Sequence, residues 1–115
     1  MKIDKDVLIK EQENICFGYN SPCFYCSDVE LVGVAIDSLK NQPIYGVRVA
    51  RDGDSCGWYL WGGEYSASDD FFQPVHFSHL YEIIPKYIMK YLALAPGFKF
   101  IADDNGYEDI WYEGE

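Results

Sequence analysis

Asn105-Gly106 sits between two apolar runs, Phe98-Lys99-Phe100-Ile101 and Ile110-Trp111-Tyr112. An Asn-Gly pair in that setting signals a two-residue type I′ turn, because both residues tolerate positive φ. It predicts a terminal β-hairpin over about 98–112. Asp104 then faces Tyr107, Ile101 faces Ile110 and Phe100 faces Trp111. A four-residue loop would set Phe100 against Asp109, a poorer pairing. Large side chains fall on both faces of this hairpin, so each face needs cover. The composition can supply it: 49% of residues are apolar and 17% aromatic. Such a chain packs a core rather than staying disordered, and large rings suit a pleated, half-buried sheet.

At 115 residues the chain has the length of a single domain, 1–115. Residues 1–20 read as a loosely attached N-terminal segment, with a short frayed helix over Asp4 to Glu13. Asn20-Ser21-Pro22 is a turn signal. Cys23 to Ser27 reads as a strand, and Val29 to Asp37 as strand or helix. Ile44 to Ala50 is a strand with Val47 and Val49 on one face. After the turn cluster Arg51 to Ser55, Gly57 to Trp61 is another strand, ended by Gly62-Gly63. Residues 65–75 form an acidic loop with Phe71 and Phe72 set into it.

Leu80, Ile83, Ile84, Tyr87, Ile88, Tyr91 and Leu92 recur at the helical period and make one apolar stripe. They predict a helix over about 78–93, with Ser78 as N-cap and Pro96-Gly97 beyond its end. Pro85 lies inside the pattern and removes one backbone bond, so the helix is expected to kink there. The fold class is therefore α+β. A mainly antiparallel, twisted sheet should carry the kinked helix on one face and finish in the terminal hairpin.

The net charge of -10 is unevenly placed. Residues 1–50 hold five Lys/Arg against seven Asp/Glu, and residues 51–115 hold four against twelve. Such a surface repels nucleic acid and anionic lipid and speeds capture of basic proteins. The apolar runs fall far short of the ~20 residues that span a bilayer. The N-terminus shows no apolar run before a small-residue cleavage site. The expected location is the cytoplasm.

The residues that carry chemistry form no recognisable catalytic constellation. Cys23-Phe24-Tyr25-Cys26 is a C-x-x-C, but on a strand its thiols would point to opposite faces. With Cys16 and Cys56 standing singly, a four-Cys zinc site lacks its second pair. All four read as reduced, small core residues. His76 and His79 could share a metal at i, i+3, with Glu64 or Asp70 as a third ligand, yet no H-E-x-x-H is present. G-x-S-x-G is absent, and no Lys-Ser/Thr follows Gly62-Gly63 as a phosphate loop requires. No cofactor or metal is implied.

Aromatic and acidic residues interleave instead. Trp58, Trp61 and Trp111, with Tyr59, Tyr65, Tyr107 and Tyr112, lie beside Glu64, Asp69, Asp70, Glu108, Asp109 and Glu113. Aromatic anchors ringed by carboxylates suit capture of a Lys/Arg-rich surface. Equally, the tryptophans could be core and the carboxylates a solvated face. On one strand Trp58 and Trp61 should face opposite ways.

Three blocks then carry a family resemblance: Gly57-Trp58-Tyr59-Leu60-Trp61-Gly62-Gly63-Glu64, Pro96-Gly97-Phe98-Lys99-Phe100, and Gly106-Tyr107-Glu108-Asp109-Ile110-Trp111. With Tyr45-Gly46-Val47-Arg48 before them, they resemble immunity protein family thirty-three, found in bacterial polymorphic toxin systems. The motif-bearing part is about 44–112. The resemblance implies an α+β, non-catalytic protein that neutralises a co-encoded toxin by stoichiometric binding. It marks Gly57, Trp58, Gly63, Pro96, Gly97, Gly106 and Trp111 as motif positions. Joined to the charge pattern, it makes Trp61, Glu64, Tyr65, Asp69, Asp70, Glu108 and Asp109 the candidate partner-binding residues. An alternative is a small-ligand or regulatory module using a pocket between Trp61 and the final hairpin. A third is a metal-dependent enzyme on His76, His79 and Glu64.

Overall fold

A computed structural model describes residues 5–113. The elements in chain order are α1 (Lys5–Gly18), β1 (Leu31–Val34), β2 (Ile44–Arg48), β3 (Ser55–Gly62), β4 (Gln73–His76), α2 (Phe77–Leu80), β5 (Phe98–Ala102) and β6 (Glu108–Tyr112). Short 3-10 turns cover Ile36–Ser38 and Lys86–Tyr91. The architecture is α+β, built on one six-stranded sheet of order β4-β1-β3-β2-β5-β6. The sheet is mixed: β1 runs parallel to β3, and the other pairings are antiparallel. None of the described helices is long and apolar enough to cross a membrane.

The longest helix lies at the N-terminus. Leu8, Gln12 and Cys16 recur every fourth residue and are the buried residues of α1. The helix rests on the 3-10 turn 86–91, where Gln12 Nε2 donates to the Met89 carbonyl at 3.1 Å. Its end is a Schellman arrangement. Asn20 takes φ 57, Ser21 N–H bonds the Cys16 carbonyl at 2.8 Å, and Asn20 N–H bonds Phe17. The segment read as loosely attached thus contributes to the interior.

The helix expected over 78–93 is instead two short pieces. Pro85 is extended, at φ -59 and ψ 140, so α2 and the 3-10 turn 86–91 are separate rather than one kinked rod. The missing N–H and the ring clash with the preceding turn explain the break. Ser78 lies inside α2, whose N-cap is His76. The apolar stripe survives: Leu80, Ile84, Ile88, Tyr91 and Leu92 are buried. Met89, which lies outside that stripe, is buried too. The strand expected over Cys23 to Ser27 reduces to a single bridge between Cys23 and Leu94.

The terminal hairpin forms with its register moved by one residue. Phe100 pairs with Ile110, Ile101 with Asp109 and Lys99 with Trp111. The loop is Asp104-Asn105-Gly106. Asp103 Oδ1 accepts from the Asn105 and Tyr107 amides at 2.9 and 3.0 Å. Gly106, at φ 93, supplies the positive φ that a three-residue loop needs. The shift groups Phe98, Phe100, Ala102 and Ile110 on the buried face, which the two-residue turn would have split.

The core lies between the sheet and the helical segments. Ile44, Trp58, Leu60, Val32, Val34 and Phe100 project from the sheet onto Leu80, Ile88, Leu92 and Leu94. Trp58 is fully buried, and its indole N–H donates to the Leu92 carbonyl at 2.9 Å. Arg48 shares this face and is also buried.

Candidate functional site: the outer face of the sheet

Strand alternation sends a second set of side chains to the face opposite the helices. One row runs Gly33, Tyr59, Val47, Lys99 and Trp111 across β1, β3, β2, β5 and β6. The next runs Trp61, Tyr45, Ile101 and Asp109. Trp58 and Trp61 do face opposite ways: the first is core, the second half-buried on this outer face.

Trp61 is the centre of an aromatic cluster. Its ring stacks on Tyr45, with centroids 5.3 Å apart and planes 10° apart. Tyr65 meets it edge-on at 5.3 Å, and Phe72 at 6.1 Å. Phe72 also meets Tyr59 at 5.2 Å and Phe71 at 4.9 Å. The loop after β3 therefore folds its two phenylalanines back over the sheet. Tyr65 stays 61% exposed and Tyr59 37%, so the cluster leaves ring surface open to solvent.

Carboxylates lie in the same loop and farther along the same face. Glu64, Asp69 and Asp70 are exposed in the loop that carries Tyr65, Phe71 and Phe72. Asp109 is exposed on the same face, three strands from Trp61, or about 14 Å at ordinary strand spacing. Lys99 of this face is paired with Glu113 at 2.7 Å, and Trp111 Nε1 donates to the same oxygen at 3.3 Å. The arrangement can receive a cationic, partly apolar surface.

A family model of the Imm33-like domain matches residues 11–113. The chain belongs to the Imm33-like family. The match extends well upstream of the motif-bearing part at 44–112 and takes in most of α1. No curated protein and no solved structure gives a significant match.

In this Imm33-like domain most motif positions serve the backbone and the core. Gly57, Gly63, Gly97 and Gly106 all take positive φ. Pro96 precedes Gly97, whose N–H bonds the Arg48 carbonyl at 2.7 Å and ties the chain before β5 to β2. Trp58 is core, and Trp111 is half-buried on the outer face.

Glu108 separates from the other candidate residues. It points to the helical side, where it accepts from Tyr19 Oη at 3.0 Å and Tyr91 Oη at 2.9 Å. Burial, then this carboxylate, pushes the Tyr91 hydroxyl above its ordinary range. Sequence reasoning left out Tyr45, Phe71 and Phe72. The period-two alternation of Tyr45 with Val47, and of Tyr59 with Trp61, was the available signal for Tyr45.

The alternative sites do not assemble where expected. Trp61 and the final hairpin are separated by β2, whose Tyr45 stacks on the Trp61 ring. A cavity of about 370 Å³ lies instead on the helical side, lined by Leu8, Gln12, Tyr25, Cys26, Tyr81 and Met89 among others. His76 and His79 are neighbours, with ring centroids 6.2 Å apart. However, His76 sits at the Leu31 end of the strands and Glu64 beyond the Val34 end. Among the described residues, no three His, Cys, Asp or Glu are grouped to hold a metal ion.

Proposed function

We propose that this Imm33-like protein is an immunity protein that neutralises a toxin encoded beside it, by stoichiometric binding without catalysis. The carrying observation is the Trp61-centred aromatic cluster on the sheet face away from the helices, with the exposed carboxylates Glu64, Asp69 and Asp70 in its own loop and Asp109 farther along the same face. The partner is a basic effector whose Lys and Arg side chains meet ring faces and carboxylates together. Binding occludes the effector's active site or substrate groove. Trp61 and Tyr65 serve as anchors, and the carboxylates govern the rate of encounter.

The test is association kinetics between this protein and the product of the adjacent toxin gene at rising salt. The on-rate should fall steeply, because long-range attraction between exposed charges is screened. A salt-independent on-rate would overturn the electrostatic part of this reading.

A further inference from the structure

The two edges of the sheet, β4 and β6, are built differently. β4 is four residues long and contains Pro74, which has no N–H to offer a further strand. β6 runs five residues, without proline, lysine or a bulge. An edge of that kind is a template for another strand.

The groups that β6 leaves open follow from its pairing with β5. Glu113 N–H donates to the Gly97 carbonyl at 2.8 Å, and Asp103 N–H to the Tyr107 carbonyl at 3.2 Å. Both pairs continue the hairpin register at its two ends. In an antiparallel ladder, hydrogen-bonded pairs alternate with non-bonded ones. Stepping inward by twos from either end makes Lys99 with Trp111, and Ile101 with Asp109, the bonded pairs. The N–H and C=O groups of Asp109 and Trp111 therefore point at β5. Those of Glu108, Ile110 and Tyr112 point away from the sheet, and no other described residue bonds them.

Charge selects what can pair there. Residues 103–113 hold five Asp/Glu and no Lys or Arg. Glu113 is paired with Lys99, and Glu108 is held by Tyr19 and Tyr91. Asp109 stays exposed on the outer face. A second copy of this chain would bring the same acidic stretch against itself, which like-charge repulsion disfavours. A cationic strand gains attraction at the same place.

We propose that β6 takes up an extended, basic segment of the effector as an added strand at the sheet edge. This rests on the immunity reading above and names its mode of contact. Main-chain bonds to Glu108, Ile110 and Tyr112 supply affinity, and alternate side chains of the segment supply specificity. Strand alternation sets a Lys or Arg of the segment beside Asp109 on the outer face. It sets apolar residues beside Ile110 and Tyr112 on the helical side. The added strand also continues the outer face past Trp111, so edge and face form one contact surface.

The experiment measures residue-resolved amide exchange in the full chain, alone and bound to the product of the adjacent toxin gene. Alone, the amides of Glu108, Ile110 and Tyr112 should exchange fast, and those of Asp109 and Trp111 slowly. In the complex the three outward amides should slow by at least about tenfold. A pair of variants checks the edge independently. Tyr112→Ala and Tyr112→Pro both remove the ring that packs on Phe98. Neither loses a ladder bond, because the Tyr112 N–H points outward, so their melts should be similar. Only the proline blocks the edge, and it should bind the toxin at least about tenfold more weakly than the alanine variant. Outward amides that stay fast in the complex, or equal affinities of the two variants, would overturn the edge contact and leave the immunity reading standing. A wild-type chain that does not bind the toxin would sink both.

Discussion

The ring of Phe100 lies directly over Gly46, its neighbour across β2 and β5. A Cβ on residue 46 would stand 2.1 Å from Phe100 Cε2. The ring cannot swing aside, because Trp58 packs on it at 5.6 Å and Tyr91 stacks on it at 4.7 Å. Gly46→Ala should therefore overpack the core and cost about 1–3 kcal/mol, read as a lowered urea midpoint. Gly33 has a similar contact with Tyr59, at 2.7 Å, but Tyr59 is on the outer face and part-exposed. Gly33→Ala should cost clearly less. Equal losses would show that both rings are equally locked.

The two tryptophans of β3 predict opposite phenotypes. Trp58→Ala removes a buried ring and its bond to Leu92, so about 3–5 kcal/mol of folding stability should go. Trp61→Ala removes a half-buried outer ring. It should leave a folded protein whose affinity for the toxin falls by at least about 30-fold, the mark of an interface anchor. Calorimetric titration beside thermal melts separates the two. A Trp61→Ala protein that binds at full affinity would remove the aromatic cluster from the interface.

That the two tryptophans face opposite ways was readable from alternation, and the hairpin from its Asn-Gly turn, but which tryptophan is core was not. What could not be read depended on side-chain contacts and backbone breaks, some local and some between distant segments. Asp103 accepting two loop amides moved the hairpin register by one residue. The stripe from Leu80 to Leu92 was a real buried stripe, but Pro85 cut its helix into two turns. Arg48 stands in strand alternation with Ile44 and Gly46, which marks its face. Its burial, however, requires carbonyls from residues 24, 56, 92 and 94, and no local pattern brings these together. The same holds for Glu108, whose partners Tyr19 and Tyr91 lie far away in the chain.

Alkaline pH should expose the Tyr91–Glu108 contact. Burial and the nearby carboxylate both raise the Tyr91 hydroxyl above its ordinary value, and they raise Tyr19 in the same direction. The native chain therefore keeps protons that the unfolded chain releases above about pH 10. The stabilisation is complete below that point and declines as pH rises through it, by up to about 1.4 kcal/mol per pH unit for one buried hydroxyl. Tyr91→Phe removes the group, so its stability should decline less steeply above pH 10 in urea titrations. Parallel curves for the two proteins would show that this hydroxyl does not govern alkaline unfolding.

Two adjacent carboxylates, Glu108 and Asp109, should act differently on a basic partner. Asp109 lies in the Trp61 row of the outer face, exposed. Glu108 points to the other side and is held by two tyrosines. Each substitution, Asp109→Asn or Glu108→Gln, removes one negative charge, so a purely global charge effect would slow association equally. A local interface on the outer face predicts otherwise. Asp109→Asn should slow toxin association at low salt, with the difference shrinking as salt rises. Asp69→Asn and Asp70→Asn should behave likewise. Glu108→Gln should leave the on-rate nearly unchanged and instead lower thermal stability, since its tyrosine partners lose a charged acceptor. Stopped-flow association at two salt concentrations, run beside a melt of each variant, reads both effects. If Glu108→Gln slows association as much as Asp109→Asn, the acidic outer face has no special role in capture.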